Sequence, residues 1–278
     1  MSGSWPLGSE VRRKVVTGGA MLYDASRAGN LSTEAFDPAL LARRGQVTGE
    51  ARGRGTTWFL AVQNQAWVLR HYRRGGLVSS LSRDRYWWQG EQRTRPFAEW
   101  QLTYHLHRAG LPVPAPIAAQ YRKQGLVYCG DIITERLPQV RSLAEALDAA
   151  PLSVLTWIAI GRCLRRFHDL GVCHADLNAH NVLIGPNAGQ SDSPQEGIYL
   201  IDFDRGSLRK SGFWKDANLV RLRRSLEKIT WGLPGERFSE DDWYGLLDGY
   251  QQTPLARPGA GVARDSGGGA AAPALPAG

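Results

Sequence analysis

The segments 174–181, which reads HADLNAHN, and 201–204, which reads IDFD, constrain the fold of this chain most strongly. They place an acid, Asp176, five residues before an amide, Asn181, and then a second acid, Asp202. Carboxylate and amide oxygens are ligands that Mg²⁺ accepts, and a further carboxylate can take a proton from a hydroxyl. One Asp or Asn alone is common in loops, but three in this order indicate a catalytic site.

The flanking residues predict how these side chains are brought together. Residues 153–170 carry apolar side chains at helical spacing, with Ser153 as a candidate N-cap and Gly171 as a candidate terminator. Residues 182–184 and 198–201 are short apolar runs separated by a connection rich in Gly, Pro, Ser and Asp, which predicts a hairpin. A hairpin would bring Asn181 and Asp202 together. The alternative is that each residue only ends a strand or caps a turn.

The order and spacing of these residues resemble the H-R-D-L-x-x-x-N and D-F-G segments of protein kinases. Asp176 matches the catalytic acid of that pattern, and Asn181 and Asp202 match its metal ligands. The resemblance implies ATP and Mg²⁺ as cofactors, and phosphoryl transfer depends mostly on positioning and charge stabilisation. His174 is expected to support the loop backbone and contact the D-F-G-like segment rather than take part in the chemistry.

Residues 47–72 are the candidate phosphate-binding part of a kinase-like N-terminal lobe. Glycines at Gly49, Gly53 and Gly55 lead into a β-type run that begins at Thr56. Glycine permits close approach of the backbone to a ligand, so we predict phosphate contacts around Gly53, Gly55 and Thr56. The spacing is not G-x-G-x-x-G, and an ordinary hairpin explains it equally well.

The run 66–70 resembles the V-A-I-K strand of kinases, with Arg70 in place of the lysine. Alternation along a strand places Val68 and Arg70 on one face. Val68 is therefore predicted to pack on adenine and Arg70 to bind the phosphates, which a guanidinium holds through its planar fork. The alternative is a solvated arginine at a strand edge.

Glu99 is the candidate ion-pair partner of Arg70. Residues 95–109 predict a helix in which Glu99 shares a face with Leu102 and Leu106, ended by Gly110. An acid on an apolar face requires a cation, and a strand–helix pair with Arg70 would match the kinase pattern. The alternative partner is Arg95, four residues earlier on the same helix.

Residues 132–137 predict a buried strand that ends at Pro138 and serves as the hinge between two lobes. Backbone groups near Glu135 are the expected adenine contacts, although a plain core strand is consistent with the same pattern. With 278 residues, of which 42% are hydrophobic, the chain can form a sizeable core. We predict an α+β, two-lobed protein-kinase-like fold.

We place the N-terminal nucleotide-binding lobe, an antiparallel sheet with one long helix, at residues 1–137. A mostly helical C-terminal catalytic lobe follows at 138–253, with a last helix at 239–251. Residues 254–278 are dominated by Gly, Ala and Pro and are predicted to be a disordered tail. Residues 1–30 carry no repeat or clear motif.

Four segments carry a closer resemblance: 53–58 (GRGTTW), 68–76 (VLRHYRRGG), 110–114 (GLPVP) and 174–181. Across residues 49–251 the chain resembles the 3-deoxy-D-manno-octulosonic acid (Kdo) kinase family of lipopolysaccharide-core sugar kinases. The resemblance implies ATP-dependent phosphorylation of the 4-hydroxyl of a Kdo sugar on a lipid A precursor. No A-P-E segment follows Asp202, which argues against a protein substrate.

Three alternatives stay open. The acceptor could be a heptose of the lipopolysaccharide core or an aminoglycoside, because the catalytic loops of such enzymes look alike. A catalytically silent nucleotide-binding module is the alternative of a different class, since Arg70 and Asp204 depart from the usual Lys and Gly.

The chain is basic, with 34 Lys and Arg against 26 Asp and Glu and a formal net charge of +8. This charge favours an anionic partner. Arginines alternate with aromatic residues between positions 70 and 95; they are Arg73, Arg74, Arg83, Arg85 and Arg93, with Tyr72, Tyr86, Trp87 and Trp88. This segment could grip the anionic acceptor or an anionic membrane surface; a solvated loop with its aromatics in the core is equally consistent. No nucleic-acid-binding motif is present, so no nucleic-acid partner is expected.

The remaining features bear on location. Cys129, Cys163 and Cys173 are too scattered for a zinc cluster and odd in number, which favours a reducing compartment. The sequence has neither a signal peptide nor an apolar run of the roughly 18 residues that a spanning helix needs. Together with ATP and a glycolipid acceptor, these features predict a peripheral protein at the cytoplasmic face of the bacterial inner membrane.

Overall fold

A computed structural model describes residues 7–52, 56–62, 64–73, 84–189 and 197–252. Within these residues, the chain forms an antiparallel sheet of eight strands, two small sheets and seven α-helices. This mixed architecture is compatible with the predicted kinase-like fold. The predictions for Gly53, Gly55, Arg74, Arg83 and the 254–278 tail lie outside the described residues.

The large sheet is antiparallel throughout, as predicted. Its neighbours follow the order β1-β2-β7-β8-β5-β4-β3, and β6 pairs with β8. The strands are β1 (Val11–Val16), β2 (Gly19–Asp24), β3 (Val47–Arg52), β4 (Thr56–Val62), β5 (Gln65–His71), β6 (Tyr86–Trp87), β7 (Pro116–Gln124) and β8 (Val127–Glu135). The first two strands were not predicted, and they extend the sheet beyond β7. Strands β3 and β4 form the hairpin predicted in the glycine-containing segment.

One face of the sheet is covered by the chain between β2 and β3. This stretch contains α1 (Ala25–Ala28), a 3₁₀ helix (Thr33–Phe36) and α2 (Pro38–Arg43). Phe36 and Leu41 from this cover pack in one core cluster with Trp67 and Leu69 of β5. These helices are four to six residues long, too short to show helical periodicity in the sequence.

The other face of the sheet packs against α3 (Arg95–Arg108), which matches the helix predicted at 95–109. Phe97 and Trp100 contact the sheet cluster, whereas Leu102 and Leu106 belong to the core of the helical half. Helix α3 therefore joins the sheet to the helices that follow. Glu99 is buried on the same helix, as its position predicted.

The second half of the chain is mainly helical. Its helices are α4 (Leu143–Ala149), α5 (Val154–Asp169), α6 (Trp214–Thr230) and α7 (Glu240–Gln251). Ser153 and Ser239 cap the two predicted helices, α5 and α7, by accepting hydrogen bonds from backbone N–H groups of the first turn. Helix α6 was not predicted. No helix in the described ranges is both long and apolar enough to cross a bilayer.

Five short strands complete the fold: β9 (Arg141–Ser142), β10 (Val172–Cys173), β11 (Val182–Ile184), β12 (Ile198–Leu200) and β13 (Ser207–Leu208). Strands β11 and β12 are antiparallel partners, which confirms the predicted hairpin. The catalytic-loop sequence lies between β10 and β11, and the IDFD segment follows β12. Both segments therefore emerge at the same end of this hairpin.

Candidate active site

The loop at 174–181 is fixed by hydrogen bonds to helix α6. The His174 amide donates to Asn218 Oδ1 at 3.1 Å, and Asn218 Nδ2 donates to the His174 carbonyl at 2.9 Å. Two turns further along α6, Ser225 Oγ accepts a hydrogen bond from the Ala179 amide at 3.1 Å. Because backbone groups at both ends of the loop are satisfied by one helix, the loop has a defined shape.

His174 has the structural role that the sequence predicted. Its Nδ1 accepts a hydrogen bond from the Asp176 amide at 3.1 Å, so the other nitrogen, Nε2, donates to the Ile201 carbonyl at 3.0 Å. Burial lowers the pKa of His174, which favours this neutral form. Its ring lies 5.0 Å from that of Phe203. His174 thus connects the loop to the segment that carries Asp202.

Asp176 and Asn181 are linked through the loop backbone. Asn181 Nδ2 and Asn178 Nδ2 each donate to the Asp176 carbonyl at 2.9 Å. Because the Asn181 nitrogen is used in this way, its Oδ1 is available to coordinate a cation. The Asp176 carboxylate accepts from Arg221 through Oδ1 at 2.8 Å, while Oδ2 has no partner among the described residues. Asp176 therefore presents one carboxylate oxygen for a proton.

Asp202 follows strand β12 and lies beside Asn181. The Ile201 amide donates to the Asn181 carbonyl at 3.0 Å, which holds the two segments together. Asp202 has φ = 63°, a left-handed conformation that is costly for a residue with a side chain and recurs at functional sites. Since the surrounding contacts hold this conformation, the direction of the Asp202 carboxylate is set by the fold.

The oxygens of Asn181 and Asp202 fit a small hard cation. Mg²⁺ typically takes one or two carboxylates from the protein and completes its shell with phosphate and water. Across the described parts of the chain, no group of three or more His, Cys, Asp or Glu side chains forms a metal cluster. The donor set therefore fits a cation that shares its ligands with a phosphate.

Arg70 joins the sheet, helix α3 and Asp202. Its Nη2 lies 2.5 and 2.7 Å from the two carboxylate oxygens of Glu99, and its Nη1 lies 2.8 Å from Asp202 Oδ1. The predicted Arg70–Glu99 pair is confirmed, and the solvated-edge alternative is wrong. Tyr72 also donates a hydrogen bond to Glu99. Arg70 is thus anchored on one carboxylate and directed at another.

Burial and neighbouring charges shift the pKa values of both Glu99 and Arg70. Burial raises the pKa of Glu99 to about 7, although the charge of Arg70 and the Tyr72 hydroxyl oppose the rise. Burial alone would lower the pKa of Arg70, but Glu99 and Asp202 raise it well above its ordinary value. Arg70 therefore keeps its positive charge across the physiological range.

Arg95, the alternative partner for Glu99, pairs with Asp204 instead. The guanidinium meets the Asp204 carboxylate with both Nε, at 2.8 Å, and Nη2. This bidentate contact ties the start of α3 to the segment after Asp202. Asp204, which stands where D-F-G has glycine, therefore has a structural role.

The other predicted nucleotide contacts lie along the sheet. Thr56 begins β4, and Val68 pairs with Thr134 of β8 on the face that carries Arg70. The Glu135 amide donates to the Ala115 carbonyl and the Arg136 amide to the Ala66 carbonyl, each at 2.8 Å, so neither amide is available to adenine. The role of these residues in nucleotide binding stays a prediction.

The basic and aromatic segment divides between core and surface. Tyr72 and Tyr86 are buried, as the alternative interpretation required, whereas Trp87 is 64% exposed. Arg85 and Arg93 are exposed as well. The segment therefore combines a structural aromatic cluster with an exposed edge.

Sequence reasoning missed the contribution of helix α6. Asn218, Arg221 and Ser225 lie at positions i, i+3 and i+7 of this helix and all contact the catalytic loop. The apolar repeat Leu219, Leu222 and Leu226 would have predicted the helix. Nothing in the sequence, however, links its polar stripe to a loop some forty residues earlier.

Comparisons with known proteins show which family the chain belongs to. Residues 38–250 match the Lipopolysaccharide kinase (Kdo/WaaP) family. Three similar curated proteins are named 3-deoxy-D-manno-octulosonic acid kinase. The protein from Actinobacillus succinogenes is 45% identical over 79% of this chain and 90% of its own. The protein from Haemophilus influenzae is 41% identical over 83% of this chain and 95% of its own.

The third, from Vibrio cholerae, is 42% identical over 72% of this chain and 85% of its own. The family match spans the sheet strands from β3 onward, the catalytic loop, Asp202 and helix α6. With identity at this level over most of both chains, the protein belongs to the lipopolysaccharide kinase (Kdo/WaaP) family.

Proposed function

We propose that this protein is an ATP-dependent kinase that phosphorylates the 4-hydroxyl of a Kdo sugar on a lipid A precursor during lipopolysaccharide core biosynthesis. The observation that carries the phosphotransfer part is the contact of Arg70 with both Glu99 and Asp202 beside the catalytic loop. The acceptor is supported by the names of the relatives. The nucleotide would lie between an N-terminal lobe, residues 1–137, and a C-terminal lobe, residues 138–253.

In this mechanism Asp176 acts as the general base. Its Oδ2 accepts the proton of the acceptor hydroxyl as the hydroxyl oxygen bonds to the γ-phosphorus and the bond to ADP breaks. Arg70 binds phosphate oxygens and Val68 packs on adenine, with Gly53, Gly55 and Thr56 near the phosphates. Asn181 and Asp202 would hold Mg²⁺, which supplies positive charge against the phosphates when it is bound.

Replacing Asp176 tests this mechanism. Asp176→Asn keeps the size of the side chain but removes its basicity, so we expect kcat to fall by about 10²–10⁴-fold. Nucleotide affinity, measured by calorimetry, should stay close to that of the unmodified protein. Full turnover by the variant would remove Asp176 from the role of base.

The acceptor is tested by competition between substrate classes. The purified protein is given Mg-ATP with a Kdo-lipid, a heptosylated core and an aminoglycoside in parallel. We expect transfer to the Kdo-lipid, and mass spectrometry with NMR should place the phosphate on the 4-hydroxyl. Transfer only to heptose or aminoglycoside would reject the Kdo assignment, and nucleotide binding without any product would indicate a silent module.

We further propose that the protein works as a peripheral protein on the anionic cytoplasmic surface of the inner membrane. Trp87 at the end of β6 and Leu126 in the turn between β7 and β8 are 64% and 73% exposed, and the Trp88 amide donates to the Leu126 carbonyl. Exposed basic side chains surround them; they are Arg85, Arg122 and Lys123. An apolar tip with cations around it is suited to an anionic lipid interface.

Vesicle sedimentation tests the membrane proposal. The unmodified protein should bind vesicles that contain anionic lipid, and Trp87→Ser with Leu126→Ser should reduce the bound fraction. Val154→Ser with Leu155→Ser, which removes two exposed apolar residues from the first turn of α5, is the matched control. An equal decrease of the bound fraction in both double variants would argue against the proposed membrane surface.

A further inference from the structure

Arg221 places a guanidinium directly beside the candidate base. Its Nη1 lies 2.8 Å from Asp176 Oδ1, and its side chain is 54% exposed. A guanidinium has five N–H donors in a planar fork, and this contact uses one of them. The remaining donors of Arg221 therefore lie in the space next to Asp176 that an acceptor sugar must enter.

The loop itself supplies little positive charge at this point. Ala175 stands where the kinase pattern has Arg. The side-chain amide of Asn178 is held within the loop, since Nδ2 donates to the Asp176 carbonyl and Oδ1 accepts from the His180 amide. Arg221 on α6 is the cation that the fold brings to the catalytic carboxylate.

An ulosonic acid brings a second carboxylate into this space. Its own charge and that of Asp176 would lie within the width of one sugar ring of each other, and like charges at that separation repel. A guanidinium that contacts Asp176 through one nitrogen can accept the sugar carboxylate on its other donors. Arginine is suited to this task because its fork matches the two oxygens of a carboxylate.

We infer that Arg221 binds the carboxylate of the acceptor and selects an acidic sugar over a neutral one, an assignment that rests on the function proposed above. Asp176 receives the proton of the hydroxyl, while Arg221 holds the acidic end of the same ring. The specificity for a sugar acid thus comes from helix α6 rather than from the catalytic loop.

The experiment uses a Kdo glycoside and its methyl ester, which lacks the negative charge, as paired acceptors for the full-length protein. We expect the unmodified protein to prefer the acid by about 10- to 100-fold in kcat/KM, the range for hydrogen bonds to charged groups. In Arg221→Gln this preference should disappear, mainly through a higher KM for the acid, while the KM for ATP stays the same. Arg221→Lys keeps the charge without the planar fork, so its preference for the acid should lie between those of the unmodified protein and Arg221→Gln.

Arg224→Gln is the matched control, because Arg224 is an exposed arginine on the same helix, one turn further along. It should keep the preference for the acid. Loss of the preference in both variants would mean diffuse attraction and would overturn the assignment. So would an Arg221→Gln variant that slows the acid and the ester equally, which is the result expected if Arg221 only orients Asp176.

A failure of the proposed function has a different signature. An unmodified protein that transfers phosphate to neither the acid nor the ester would overturn the Kdo function and this assignment with it. Transfer to both acceptors with the same efficiency would leave the kinase function standing and overturn only the role of Arg221.

Discussion

Arg70 stands where the kinase pattern has lysine, and it forms ion pairs with both Glu99 and Asp202. Its two terminal nitrogens contact different carboxylates, Glu99 through Nη2 and Asp202 through Nη1. A lysine ammonium is a compact point charge on a flexible stem, and it cannot copy this planar geometry. The departure from the kinase pattern is therefore consistent with an active site.

We expect Arg70→Lys to be a damaging substitution despite its retained charge. The ammonium would lose one of the two carboxylate contacts, so kcat/KM for ATP should fall by about tenfold or more, as for the loss of a charge-assisted hydrogen bond. Steady-state kinetics would measure the change. Arg43→Lys, at an exposed arginine in the last turn of α2, is the control. Unchanged kinetics in Arg70→Lys would contradict the bridging role.

Glu99 should make stability depend on pH. The pKa of its carboxyl is raised from 4.5 to about 7, so the folded protein binds this proton more tightly than the unfolded chain. The contribution of Glu99 to stability is then fully present below about pH 4.5 and is lost as the pH rises through 7.

Comparison with Glu99→Gln isolates this effect, because the amide does not titrate. Between pH 5 and 8 the unmodified protein should lose up to about 3 kcal/mol of unfolding free energy relative to the variant. Denaturant unfolding at several pH values would measure the difference. A difference that stays constant with pH would show that Glu99 does not titrate in this range.

At the scale of elements, α5 and α7 pack with their backbones in contact. A Cβ atom added at Gly161 would lie 1.9 Å from the Leu246 carbonyl oxygen, and one at Gly249 would lie 2.0 Å from that of Ile158. Only glycine permits this approach, and the capping serines fix where the two helices begin. The position of α5 matters for the site because the catalytic loop follows it.

Gly161→Ala should therefore destabilise the protein although alanine favours helices. Separating the two helices to admit a methyl group should cost about 1–3 kcal/mol or more and lower Tm by several degrees. Gly212→Ala is the control, since a Cβ there meets its nearest atom at an ordinary 3.7 Å. Equal thermal stability of the two variants would contradict the close packing.

The elements with a clear pattern were predictable from the sequence. The apolar period of α5, the spacing of Asp176 and Asn181, and the inward position of Glu99 each follow from local periodicity and chemistry. The contacts of α6 with the catalytic loop were not predictable, because they join residues distant in the chain. The β1–β2 hairpin was missed because β1 is mostly exposed and lacks an alternating pattern.

At the scale of the whole molecule, the N-terminal stretch belongs to the fold even though it begins before the family match. That match starts at residue 38, whereas β1 and β2 extend the sheet from residue 11. The chain after β2 then covers the sheet face opposite α3. The sheet that carries Arg70 thus has apolar cover on both faces.

Leu41→Ala should show that this cover stabilises the protein. Leu41 is 3% exposed in the cluster that covers β5, so its truncation should cost about 2–5 kcal/mol. Val15→Ala, at a position 71% exposed in the same N-terminal stretch, should change stability by less than about 0.5 kcal/mol. Chemical denaturation would measure both. An equally small change of the unfolding free energy in Leu41→Ala would mean that the segment between β2 and β3 contributes little to stability.

The bonds between Asn218 and His174 have a pharmacological consequence. They make the shape of the catalytic loop depend on helix α6, in a part of the fold separate from the sheet residues that we propose face the nucleotide. A compound that wedges between α6 and the loop would disturb Asp176 while leaving Arg70 and Val68 in place. Such an inhibitor would lower the maximal rate without competing with ATP, and cellular ATP would not displace it.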